Sequence, residues 1–82
     1  MTPITEKKLK KLGFTVHQDD FRMLIYSRIT EKDYLIVLEQ QSAIYFSCEI
    51  IVKARGSQDL VFEIPKLLYT IKEVENVIKI LI

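Results

Sequence analysis

Residues 21–64 read as a run of consecutive β-strands, and a short helical segment stands at each end of that run. This layout constrains the fold more than any other feature of the chain. Strands at residues 22–29 and 34–40 are separated by Thr30, Glu31, Lys32 and Asp33, a polar four-residue turn. Residues 43–54 alternate: Ile44, Phe46, Cys48, Ile50 and Val52 fall on one face, and Tyr45, Ser47, Glu49 and Lys53 on the other. Residues 60–64 set Leu60, Phe62 and Ile64 against Val61 and Glu63, after a hairpin loop at 55–59 that contains Gly56. Connections this short imply antiparallel neighbours, because parallel pairs need crossovers of about a dozen residues or more. Residues 14–20 read as a loose segment that allows a short edge strand ending at Gln18-Asp19-Asp20. Pro65, which has no N–H to give to a ladder, is expected to close the sheet.

Thr5 begins the first helical segment as an N-cap, with Ile4 and Leu9 at the flanking staple positions and Gly13 as the stop. Leu9 and Leu12 share one face, whereas Lys7, Lys8, Lys10 and Lys11 face water. The second helix has the clearer signature. Thr70 and Glu73 form a capping box, Tyr69 and Val74 its staple, and Ile71, Val74, Val77, Ile78 and Leu81 recur at helical spacing. Glu75 and Lys79 make an i,i+4 pair on the wet side. The expected fold is α+β: a single domain spanning residues 1–82 in the order α-β-β-β-β-α, a four-stranded antiparallel meander with both helices on one face.

The composition is that of a folded globule, with 49% hydrophobic and 28% charged residues in 82. Twelve basic and eleven acidic side chains leave a net charge of +1, so only a local patch can attract a polyanion. One cysteine makes no internal disulfide, which fits a reducing compartment. No segment resembles a signal peptide or approaches the ~20 apolar residues of a membrane span. A cytoplasmic location with no membrane partner is expected.

The inventory for chemistry is thin. His17, Asp19 and Asp20 cluster in sequence, but closed zinc sites take four ligands and neither a second histidine nor a nearby cysteine is present. Cys48 falls on the apolar face of its strand, where burial raises a thiol pKa and removes access. Gly13 and Gly56 stand alone, so there is no phosphate-binding loop, and no base is placed near Ser27, Ser42, Ser47 or Ser57. The chain is not expected to be an enzyme, and no catalytic residue, cofactor or metal ligand is assigned.

Surface features point instead to binding. If helices cover the face that carries Phe46 and Phe62, the opposite face carries Tyr45, Ser47, Glu49, Ile51, Lys53 and Val61. To these the first two strands are expected to add Leu24, Tyr26 and Arg28, with either Ile36 and Leu38 or Leu35 and Val37. Tyrosine and aliphatic residues rimmed by a cation have the composition of a protein interface. The expected partner-binding residues are Tyr26, Arg28, Tyr45, Ile51 and Lys53. Lys7, Lys8, Lys10 and Lys11 form a basic run able to contact phosphates.

The opening Ile4-Thr5-Glu6-Lys7-Lys8-Leu9-Lys10-Lys11-Leu12-Gly13-Phe14, the β block, and the closing Ile71-Lys72-Glu73-Val74-Glu75-Asn76-Val77-Ile78-Lys79-Ile80-Leu81 resemble small accessory proteins of Bacteroidota phages and prophages. The likeness rests on helix-forming patterns and carries no chemical motif. It implies a mobile-element setting, in which some such proteins inhibit host defences, including CRISPR effectors. The expectation is a non-enzymatic, phage-encoded inhibitor in the host cytosol, acting on a larger host protein or ribonucleoprotein. One alternative is a small RNA- or DNA-binding module, with the four lysines on phosphates and Tyr26 or Tyr45 stacking on bases. Another is a homodimer joined through outer faces or edge strands.

Overall fold

The computed structural model describes residues 2–52 and 59–81. They form helix α1 (Glu6–Lys11), strands β1 (Thr15–Gln18), β2 (Leu24–Ile29), β3 (Tyr34–Gln40), β4 (Phe46–Val52) and β5 (Leu60–Glu63), and helix α2 (Ile71–Leu81). The sheet is an antiparallel meander in the order β1-β2-β3-β4-β5. The class is thus α+β as expected, but the sheet has five strands rather than four. The additional strand is β1, whose sequence Thr-Val-His-Gln carries one apolar residue and so gives little alternation to read.

α1 begins and ends as its sequence predicts. Thr5 Oγ1 accepts the Lys8 N–H at 3.3 Å. At the other end, the Gly13 N–H donates to the Lys10 carbonyl at 3.1 Å and the Phe14 N–H to the Leu9 carbonyl at 3.0 Å. That pair of bonds is a Schellman motif, and it needs a left-handed residue at Gly13, where φ is 90°. Leu9 and Phe14, which the motif brings together, are both buried in the core. The same turn aims the chain into β1.

The β2–β3 connection is the polar turn read from Thr30 to Asp33. The Asp33 N–H donates to the Thr30 carbonyl, the Thr30 N–H to the Tyr34 carbonyl, and the Tyr34 N–H to Thr30 Oγ1. Thr30 is therefore buried with its hydroxyl in use. The strand expected at 43–54 is shorter: residues 41–45 turn, and Ile44, expected on the inner face, lies outside the strand and is exposed. Of the hairpin loop expected at 55–59, residues 55–58 lie outside the described residues.

Pro65 does not end contact with the sheet. The Ile64 N–H reaches the Cys48 carbonyl, residues 65–67 bulge outward, and Leu68 pairs again with Phe46 through two bonds of 2.8 and 2.9 Å. The chain then crosses residues 2–4: Pro3 bridges Thr70, and the Ile71 N–H donates to the Thr2 carbonyl at 2.9 Å. α2 starts at the expected box, with the Glu73 N–H on Thr70 Oγ1 and the Thr70 and Tyr69 N–H groups on Glu73 Oε1. Lys66 from the bulge adds an ion pair to Glu73 at 2.9 Å.

One core results. Leu9 of α1 and Val74 and Ile78 of α2 are buried in a single cluster with Tyr26, Ile36, Leu38, Phe46, Cys48 and Ile50 of the sheet and with Ile4, Phe14 and Leu68.

Two expected outcomes test this account. Gly13→Ala forces a side chain into left-handed backbone and sets a Cβ 3.4 Å from Arg28 Nε; it should cost on the order of 1 kcal/mol or more, read as a lower urea midpoint with an unchanged slope. Glu73→Ala should cost roughly 1 kcal/mol at neutral pH. The Lys66 ammonium and the backbone N–H groups hold the Glu73 carboxyl at about 2, below its ordinary 4.5. Its contribution is whole above pH 4.5 and is lost as the pH falls toward 2, so the gap between wild type and variant should close over that range.

Candidate functional site

The pairing register decides which side chains share a face. Tyr26 lies opposite Leu38, and Leu38 opposite Cys48. Arg28, Ile36, Ile50 and Phe62 form the next row on the same face. These rows meet the helices. The open face carries the intervening residues, again in rows: His17, Ile25, Glu39 and Ser47; then Ser27, Val37, Glu49 and Glu63; then Ile29, Leu35, Ile51 and Val61. Of the two alternatives for β3, Leu35 and Val37 face outward, and Ile36 and Leu38 are buried.

Tyr26 and Arg28 are therefore not on the open face, contrary to the expectation from sequence. Tyr26 is 2% exposed. Its ring meets Phe46 edge-on at 5.9 Å, and its hydroxyl donates to Glu6 Oε1 at 3.2 Å. Burial, then the Glu6 hydrogen bond and charge, raise the phenol pKa. Arg28 is half-buried, with its stem laid against Gly13. The alternation of β2 conceals this, because Leu24-Tyr26-Arg28 and Ile25-Ser27-Ile29 each present two apolar residues and one polar one. Tyrosine tolerates the inner position here because α1 supplies an acceptor for its hydroxyl.

Tyr45 precedes β4 and is half-buried, its ring 5.6 Å from that of Tyr69. Ile51 lies on the open face between Leu35 and Val61. Lys53 lies outside the described residues. Ile29, Leu35 and Val61 complete the row that holds Ile51; Val61 is legible from the β5 alternation, whereas Ile29 and Leu35 emerge only once β2 and β3 are paired. Ile29 is 64% exposed.

Beside the apolar row stands an acidic one. Glu49 and Glu63 are directly opposed across β4 and β5, and Glu39 lies diagonally from Glu49. Burial first, then the charges of Glu39 and Glu63, raise the Glu49 pKa. The open face thus combines an aliphatic band with a concentration of negative charge.

On α1, Lys10 pairs with Glu6 at 3.4 Å, and Lys7 and Lys11 lie roughly opposite buried Leu9 on the helix. The four lysines spread over the wet surface of a six-residue helix. Neither tyrosine named for base stacking presents a free ring beside them. The Asp19 carboxylate is engaged locally, accepting the Phe21 and Met23 N–H groups at 2.9 and 2.8 Å. Among the described residues no group of three His, Cys, Asp or Glu side chains could hold a metal ion. Cys48 is buried, and burial followed by the Glu49 charge pushes its thiol up to about 11. No helix among the described residues is long and apolar enough to cross a membrane.

Glu49→Gln should stabilise the fold by roughly 0.2–1 kcal/mol at neutral pH and low salt, because it removes a charge that is partly desolvated and that opposed like charges on neighbouring strands repel. With a folded-state pKa above its ordinary 4.5, Glu49 disfavours folding at neutral pH and ceases to do so as falling pH protonates it. The gain should therefore shrink in salt and vanish below about pH 4 in thermal melts.

Compared with known families, curated proteins and solved structures, the chain matches none.

Proposed function

We propose that this chain is a non-enzymatic binding module that seats the open face of its sheet on a larger protein or ribonucleoprotein. The observation that carries this reading is the row Ile29, Leu35, Ile51 and Val61: one aliphatic side chain from each of four adjacent strands, on the face that the helices leave uncovered. Ile29 and Val61 at the ends of the row are exposed and Leu35 and Ile51 between them are half-buried, and an apolar band left on the surface of a small domain marks a contact site. The neighbouring carboxylates of Glu39, Glu49 and Glu63 define the partner's chemistry. It presents an apolar ridge beside lysines or arginines, as the nucleic-acid-binding surface of a defence nuclease would. The phage-protein resemblance supplies that setting, and blocking such a surface would inhibit the machine. Cationic α1 offers a second reading, direct RNA or DNA contact through Lys7, Lys8, Lys10 and Lys11, but without an aromatic platform it has less support.

Capture from host lysate with the immobilised chain separates the two. Wild type should retain a protein that Ile29→Asp and Glu39→Lys each bind about tenfold less tightly, with circular dichroism unchanged. Retention should weaken in salt and survive nuclease. A partner held equally by both variants, or one lost to nuclease and to Lys7→Ala/Lys11→Ala, would overturn the proposal.

A further inference from the structure

The edge strand β5 has an unusual character. It pairs only with β4, and among the described residues no strand lies along its other side. Leu60, Val61 and Phe62 are 54%, 55% and 53% exposed, so the strand offers apolar side chains on both faces of the sheet. The opposite edge differs. β1 carries exposed Thr15, His17 and Gln18, and the Gln18 amide donates to the Arg22 carbonyl in the adjoining turn. Edges are ordinarily protected by polar or charged residues, as β1 is; within β5 the only such residue is Glu63.

The backbone of β5 has a defined polarity. The Ile64 N–H is committed to the Cys48 carbonyl at 2.9 Å. Alternation along an antiparallel ladder then commits Phe62 and Leu60 to β4 and turns the N–H and C=O of Val61 and Glu63 outward. Two residues with outward donors and acceptors match a second antiparallel strand. On the helix side, Phe62 also walls a groove of about 400 Å³ shared with Tyr34, Val52, Ile80 and Leu81, and Ile80 there is exposed.

We infer that β5 pairs antiparallel with β5 of a second copy of this chain, about a twofold axis at Phe62, to give a continuous ten-stranded sheet. Charge selects this register over its neighbours. An axis at Val61 would set Glu63 opposite the second copy's Asp59, and an axis at Glu63 would oppose the two Glu63 carboxylates directly. With the axis at Phe62, Val61 and Glu63 exchange backbone hydrogen bonds with the second copy's Glu63 and Val61. Phe62 then meets its own counterpart in a non-hydrogen-bonded pair, where side chains approach most closely, and Leu60 meets Ile64. All of these pairs are apolar on the helix side, and the two aromatic rings adjoin the grooves beside Ile80. The interface is isologous, so each copy satisfies the other's edge and no β5 edge remains. A strand of four residues makes a small contact, and the dimer is reversible. This inference does not rest on the open-face reading, although the two share Val61 and Glu63.

Sedimentation of the pure full chain from about 10 μM to about 1 mM tests it, a range that brackets weak association. Wild type should shift from monomer to dimer. Val61→Pro removes an N–H that β4 does not use and should weaken the dimer at least tenfold while circular dichroism stays unchanged. Phe62→Cys should cross-link under mild oxidation, because a directly opposed non-hydrogen-bonded pair brings its Cα atoms within disulfide range. Leu60→Cys, equally exposed but opposite Ile64, should not. A wild type that stays monomeric at about 1 mM, a folded Val61→Pro that dimerises normally, or equal cross-linking of the two cysteine variants would overturn the inference. If Val61→Pro does not fold, the cysteine pair decides alone.

Discussion

Two helices of six and eleven residues have to cover a five-stranded sheet. That shortage of helix is the constraint on which the rest of the molecule depends. It is enough for one face and not for two, so the sheet must choose a dry side. The choice is set by Leu9, Val74 and Ile78 packing on Tyr26, Leu38, Cys48 and Ile50. Once those residues face inward, the period of two in every strand turns Ser27, Val37, Glu49, Leu35 and Ile51 outward. The open face is a consequence of this packing rather than a separate feature, and among the described residues no helix packs on its apolar row.

Legibility from sequence varied with the contrast each strand offers. In β4, Phe46, Cys48 and Ile50 alternate with Ser47 and Glu49, and in α2 the capping box, the staple and the apolar stripe agree; both elements were readable. β3 is apolar on both sides, so its inward residues are decided only by its neighbours. β2 presents two equivalent faces, and the feature that breaks the tie, the bond from Tyr26 to Glu6, links residues twenty apart in sequence. No local pattern encodes a partner at that distance. Ile51 and Val61 could be placed because their own strands alternate, whereas Ile29 and Leu35 required the register. β1 was faint because one valine makes no period, and its existence follows from the Schellman turn at Gly13 directing the chain alongside β2.

Charge is distributed in opposition to the near-neutral total. The cations of α1 spread over its wet surface, while Glu39, Glu49 and Glu63 stand on the open face, where burial first and then the Glu39 and Glu63 charges raise the Glu49 pKa. A net charge of +1 conceals this dipolar arrangement. The acidic row also bears on the edge, since Glu63 closes β5 and restricts which strand registers can form beside it. One carboxylate thus affects both surfaces on which binding has been argued.

The clasp between residues 2–4 and the start of α2 bears on how the chain is made. Each strand of the meander pairs with its predecessor, so the sheet can assemble hairpin by hairpin as polypeptide emerges from the ribosome. The Thr2 carbonyl, however, waits for the Ile71 N–H, and Pro3 waits for Thr70. Until those late residues are synthesised, Ile4 and Leu9 lack neighbours of their final core, Leu68 and Val74 among them. Pairing within the sheet is thus local in sequence, whereas sealing the core is not: it depends on contacts that join residues 2–9 to residues 68–74.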